Sequence, residues 1–321
     1  MGNRVIKMST LYLTEQGSIL HKTQRRLVII KNKKIIQEIP IFKIDRILIF
    51  GNIQISTQAL SFILDSGIIC SFFSSQGKFK GSLRPVESGN VFLRIAQYER
   101  YLDKEFRVEI SKTIVYAKIN NEIKFLENYS KTNFKEIIEE LKKNINNLKD
   151  KNSISSIMGI EGHSTSLYFK GLSLILKNKF LFEKREYHPP KDPANALLSF
   201  GYSLITNEIF SLLSGIGFDP YIGFFHELTY NRPSLALDIV EEFRTPVVDK
   251  MIVTLINKNI IKEEDFQREE NSIYLNNIAK KAFLTHYEKR IQNYREIIKV
   301  QCHKLMDSVL NKKIYEPYLE D

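Results

Sequence analysis

Cysteine is nearly absent from this chain. Cys70 and Cys302 are the only two among 321 residues, and they lie far apart in sequence. That excludes a thiolate zinc cluster built within the chain and gives no sign of an oxidising compartment. No unbroken apolar run approaches the roughly 18 residues that a membrane span requires. The opening MGNRVIKMSTLYL also lacks the charged, apolar, then small-residue pattern of a secretory leader. A cytoplasmic protein with no membrane partner is the expectation. There is no HExxH or paired CxxC for zinc and no GxxxxGK loop to cradle phosphates, so an ATP-driven reaction finds no support. The remaining composition, 43% hydrophobic and 26% charged, is ordinary for a globular protein. The length suffices for two domains with cores that need no staples.

The formal charge of +10 is unevenly spread. Residues 1–90 hold 13 of the 47 Lys and Arg but only 5 of the 37 Asp and Glu. A basic front and a nearly balanced remainder suit a polyanion-binding surface attached to a separate module. Lys, Asn and Ile are abundant throughout, as in KKNINNLKDKN, and that bias raises the isoelectric point by itself. Charge alone therefore leaves nucleic-acid binding open.

The front reads as β. Branched-residue runs at 10–14, 25–31, 33–39, 46–51 and 68–73 are separated by Gly, Asn and Ser. Asn32 suits a tight hairpin, and poor alternation suggests a sheet covered on both faces. One helix interrupts the set, with Thr57 as its cap and Gly67 as its stop. From about Asn90 the pattern turns helical, with helices expected at 91–102, 134–148, 153–178, 193–214, 233–258 and 275–311. RPVESGN (84–90) is the natural linker. The expected fold is α+β: a small β-rich N-terminal domain (1–85), then a larger all-helical C-terminal domain (86–321).

Three helical-domain segments are unlike the rest. In GIEGHST (159–165) two glycines flank Glu161; each costs about 0.5–1 kcal/mol relative to Ala inside a helix, so close backbone approach around a ligand-seeking carboxylate is one explanation and an ordinary helix crossing is another. In FDPYIGFFHEL (218–228) His226 follows an apolar turn; alone, such a His reads equally as a core or surface residue. In SLALDIVEEFR (234–244) Asp238, Glu241 and Glu242 stand at i, i+3 and i+4, so three carboxylates share one helix face. A solvated acidic face would look the same, but Arg244 follows directly and His226 sits one short loop earlier. Two carboxylates and an imidazole suit Mn²⁺, or Mg²⁺ with more water, and leave positions for water and a phosphate oxygen.

GIEG, KDPANALLSFGYSLI (191–205), GFDPYIGFFHE (217–227) and SLALDIVEEFR occur in an order that resembles the CRISPR-associated adaptation endonuclease, the integrase family that acquires new spacers. ISTQAL (55–60), GIICSFFSSQG (67–77) and RIAQY (94–98) extend the resemblance loosely to the front, so it spans nearly the whole chain. It implies metal ligands at Glu161, His226 and Glu241, where some members carry Asp in place of Glu241. It implies a supporting acid at Asp238, a phosphate contact at Arg244, a structural or outer hydrogen-bonding role for Asn195, and a candidate catalytic aromatic at Tyr187. The implied activity is joining of spacer-DNA 3′-hydroxyls to the repeat by transesterification with Mn²⁺ or Mg²⁺. The implied assembly is a homodimer paired through the front domains, two such dimers clamping a small second adaptation protein into a heterohexamer on double-stranded DNA. Three other readings stay open at this stage: a nuclease that hydrolyses DNA junctions in repair, a non-catalytic nucleic-acid-binding scaffold, and an RNA-binding β-domain with a helical tail.

Overall fold

Residues 9–86, 89–129, 134–176, 180, 182, 185, 190–269 and 272–320 are described by a computed structural model. The chain divides inside the expected linker into two units, Met1–Glu87 and Ser88–Asp321.

In the first unit a two-residue turn sets the register of a hairpin. Asn32 and Lys33 both take positive φ, 50° and 60°, the mirror-image turn whose twist matches that of the flanking strands. It joins β3 (Arg26–Lys31) to β4 (Lys34–Pro40), and β3 pairs on its other side with β2 (Ile19–Thr23). The short β6 (Gln54–Ile55) completes a four-stranded sheet in the order β4-β3-β2-β6. A second sheet runs β1-β5-β7-β8, with β1 (Ser9–Leu13), β5 (Ile44–Phe50) and β7 (Ile69–Phe73) parallel and β8 (Phe79–Leu83) antiparallel. Helix α1 (Thr57–Asp65) makes the crossover that parallel β5 and β7 require. Its cap is Ser56, one residue before the expected Thr57: the Ser56 hydroxyl accepts from the Ala59 N–H. Leu20, Leu27, Ile47, Ile49, Ile63 and Cys70 from both sheets and α1 share one core. Ile47 to Phe50 are buried without a break, which is why that strand does not alternate. Strands β2, β6 and β8 were not expected.

The second unit is mostly helical: α2 (Val91–Leu102), α3 (Lys104–Glu127), α4 (Lys135–Leu148), α5 (Ile154–Ile175), α6 (Pro193–Ile216), α7 (Ser234–Phe243), α8 (Lys250–Asn257), α9 (Asn277–Ile291) and α10 (Arg295–Asn311). Starts are chemically marked: the side chains of Asn90, Asp103, Ser153, Asp192 and Asn276 each accept a first-turn N–H. Gly217, at φ 113°, closes α6 in the left-handed conformation that a side chain would oppose.

Four expectations change. Helix α3 was not anticipated, because it is buried around much of its circumference and shows no single apolar stripe. The helix expected over 233–258 is interrupted by a π-helical stretch, Arg244–Asp249, containing Pro246, which has no N–H to continue an α-ladder. The 275–311 segment is two helices preceded by a hairpin of β9 (Phe266–Glu269) and β10 (Ser272–Leu275), so the unit is not all-helical. Finally, α6 is long and apolar enough to cross a membrane, yet 67% of its most apolar window is buried inside the protein, the position of a core helix.

Candidate metal centre

The centre is assembled from α3, α5, α7 and the loop ahead of α7. Asp238 in α7 organises the loop. Its buried carboxylate accepts the backbone N–H groups of Phe224 (2.6 Å) and Phe225 (3.1 Å) on Oδ2 and of His226 (2.9 Å) on Oδ1. Oδ1 also lies 2.7 Å from His226 Nδ1. Such a carboxylate has little capacity left to ligate an ion, and its work is to orient. Gly223 permits the approach: a Cβ there would stand 2.8 Å from Asp238 Oδ2 and 2.6 Å from the carbonyl carbon of Ser234. The loop is pinned from behind as well. Gln97 of α2 donates to the carbonyls of Asp219 and Ile222 and accepts the Asp219 N–H. From α3, Arg107 and Ser111 both donate to the Phe224 carbonyl.

With Nδ1 committed to Asp238, His226 presents Nε2, which lies 4.0 Å from Glu241 Oε1. Glu241 is held by two cations: Arg244 Nη1 reaches its two oxygens at 3.1 and 3.3 Å, and Lys118 Nζ reaches Oε2 at 2.7 Å. Burial alone would raise the Glu241 carboxyl, but Lys118, Arg244 and His226 outweigh it and hold it well below the usual carboxylate range. Glu161 of α5 meets the same ammonium: Lys118 Nζ bonds its Oε1, which also accepts from the Thr165 hydroxyl at 2.9 Å. Lys118 is 1% exposed. Burial works against its charge, and Glu241 and Glu161 more than compensate, so it stays firmly protonated.

Glu161 and Glu241, distant in sequence, therefore converge on one cationic point, with His226 beside Glu241. Among the described residues, no three His, Cys, Asp or Glu side chains stand close enough to share an ion as placed. The donor set nevertheless fits a hard divalent cation: a buried ammonium already sits between the two carboxylates, and one imidazole nitrogen lies 4.0 Å from Glu241. A solvated acidic face, the other reading of SLALDIVEEFR, is not what forms. The three acids are buried and diverge: Asp238 to the loop, Glu241 to Lys118 and Arg244, and Glu242 to the Tyr315 hydroxyl (2.6 Å) and the Tyr318 N–H (2.7 Å).

The other expected residues take definite places in the fold. Arg244 is 5% exposed, its guanidinium lies 4.5 Å from the Tyr202 ring centroid, and it steadies Glu241. Asn195 is structural, bonded to Asp192 at the start of α6 and accepting from Arg185. Gly159 and Gly162 are not sites of close backbone approach within the protein: nothing lies within 4 Å of a Cβ at either. Tyr187 lies outside the described residues. Sequence reasoning missed Lys118, Gln97 and Glu122. The available signal was the capping Asp103 ahead of a long segment without Gly or Pro, in which Ser111, Lys118, Asn121 and Glu122 are interleaved with Ile110, Ile114, Val115 and Ile119.

Comparison with known proteins bears on the whole chain. Residues 11–289 match the family described as CRISPR associated protein Cas1. The CRISPR-associated endonuclease Cas1 3 of Thermodesulfovibrio yellowstonii is 32% identical, over 97% of this chain and 99% of its own. A solved Cas1 protein from Thermotoga maritima superposes with a TM-score of 0.86 at 29% identity, covering 98% of this chain and all of the other. A casposase bound to its integration product does so with a TM-score of 0.86 at 25% identity, covering 98% and 95%. The resemblance read from four short segments is thereby confirmed, and the chain belongs to the Cas1 family of CRISPR-associated endonucleases and integrases.

Proposed function

We propose that this chain is a divalent-metal-dependent DNA integrase and endonuclease of CRISPR adaptation. The observation that carries the reading is the convergence of Glu161 and Glu241, from separate helices, on one buried cation position flanked by His226. Glu161, Glu241 and His226 Nε2 would hold Mn²⁺ or Mg²⁺. When bound, the ion supplies polarisation of the phosphorus centre, activation of the attacking hydroxyl and neutralisation of the leaving oxygen. Asp238 keeps His226 in the tautomer and orientation that leave Nε2 free. Arg244 keeps Glu241 ionised and aimed. The exposed helix surface at Gly159 and Gly162 carries no side chain, so a DNA backbone can come close to Glu161. The donor 3′-hydroxyl forms a new ester to phosphorus as the target strand's O3′–P bond breaks, one phosphodiester for another, with no outside energy source. Water in place of the hydroxyl gives hydrolysis.

Support for integration over junction repair comes from the casposase, whose solved complex holds an integration product. Dimer pairing through the front unit is supported by β4, an edge strand with Ile35 and Ile36 exposed. A small second adaptation protein as partner, and the cytoplasm as location, follow from the family and remain part of the proposal. The test is a donor duplex labelled at its 3′ end, mixed with repeat DNA and Mn²⁺. We expect joined product, lost by about 100-fold or more in Glu161→Gln and Glu241→Gln. Full activity in either variant overturns the site, and hydrolysis without joining overturns the integrase.

A further inference from the structure

Lys118 is buried with its ammonium against both Glu161 and Glu241. A lone ammonium is not kept inside a protein unless it is paired, and two carboxylates are not kept face to face there without a cation. Each part of the trio explains the others, and together they fold without any outside ion. A divalent ion on the same oxygens, however, would stand in contact with the ammonium, and like charges that close in a buried site repel strongly. The lysine's own helix offers it somewhere to go. Glu122 lies four residues further along α3, hence on the same face about 6 Å away between Cβ atoms. It is fully buried, and its Oε2 has no hydrogen-bond partner. A flexible four-carbon stem can carry the ammonium from one acid to the next turn without backbone movement.

Resting on the reading of Glu161, Glu241 and His226 as a metal centre, we infer that Lys118 is a built-in competitor for the divalent ion: it bridges Glu161 and Glu241 until the ion enters, then turns to Glu122. Lys118 is thus a positioning residue that holds two helices' carboxylates at a shared point and yields it on loading. Glu122 is the acceptor that makes yielding possible.

The experiment measures Mn²⁺ binding to the full chain, by calorimetry and by loss of the free-ion paramagnetic signal, alongside melting temperature in EDTA and in Mn²⁺. Lys118→Met should bind Mn²⁺ about tenfold more tightly, yet melt about 5 °C or more lower in EDTA, with Mn²⁺ restoring the loss. A purely structural lysine would weaken binding and stability together, and that result overturns the inference. Should Lys118→Met not fold in EDTA, Glu122→Gln decides: binding should weaken about tenfold while the melting temperature in EDTA holds or rises. Unchanged affinity in Glu122→Gln overturns the relocation. Glu161→Gln and Glu241→Gln separate the two levels. If they bind Mn²⁺ normally, the metal centre itself is misassigned. If they lose binding while Lys118→Met and Glu122→Gln leave it unaltered, only the competitor role falls.

Discussion

Asp238 shows how much of this centre depends on one carboxylate that never needs to touch an ion. Three backbone N–H groups and an imidazole nitrogen end on its two oxygens. Asparagine at this position keeps one acceptor and turns the other into a donor aimed at N–H groups. Asp238→Asn should therefore cost about 3 kcal/mol in chemical unfolding and weaken Mn²⁺ binding about 10–100-fold in calorimetry; unaltered affinity would show that His226 needs no orienting. Glu122 supplies a pH signature. Burial pushes its carboxyl up to about 8, partly offset by Lys118 and Arg244 and reinforced by Glu161 and Glu241. With the Lys118 ammonium on Glu161 and Glu241, the folded chain holds that proton more tightly than the unfolded one, so its contribution is complete below the ordinary carboxyl range and is lost as pH rises through about 8. Melting temperature in EDTA should fall between about pH 5 and pH 8.5, with a shallower slope in Glu122→Gln. Equal slopes would remove Glu122 from the pH response.

Helix α7 distributes its acids in three directions because three different elements pack around it: the loop, α3 with its lysine, and the C-terminal segment carrying Tyr315 and Tyr318. Chain spacing alone puts Asp238, Glu241 and Glu242 on one face, and that much was legible. Where each carboxylate finds its partner was not, since the partners come from residues far along the chain. The tight seat of the loop on α7 gives a direct test. Gly223→Ala would press a methyl group against the Ser234 backbone and Asp238. We expect a loss of about 1–3 kcal/mol by denaturant unfolding, accompanied by weaker Mn²⁺ binding as His226 is displaced. Helix α3 escaped the sequence reading for a related reason. Its polar residues are buried in company with its apolar ones, so no amphipathic stripe marks it, although its capping Asp103 is as clear as any.

The two units pose different problems for the whole molecule. The first exposes Ile35 and Ile36 on an edge strand whose backbone is unpaired on one side within the sheet, a surface that natural proteins normally protect or use. Lysines at both positions (Ile35→Lys with Ile36→Lys) should convert a dimer to monomer in sedimentation or light scattering while leaving the melting temperature within a few degrees; a dimer that persists would place the pairing surface elsewhere. The basic bias of this end of the chain was visible in the sequence, as were five of its strands. The short β6, β2 with its polar second half and the glycine-containing β8 were not, because pairing with neighbours rather than their own composition makes them strands.

Local chemistry written along the chain settled the hairpin at Asn32 and Lys33, most helix starts, the two-part organisation and the ordered segments that mark the family. Those features depend on residues within a few positions of one another, where backbone preference and capping act directly. The candidate centre depends on distances through space and on exclusion of water. Only folding sets Lys118 between Glu161 and Glu241, buries Arg244 beside a carboxylate, and turns Asp238 into the support of a loop. Electrostatic partnership grows with proximity and with the loss of solvent, and neither quantity is written in the spacing of letters.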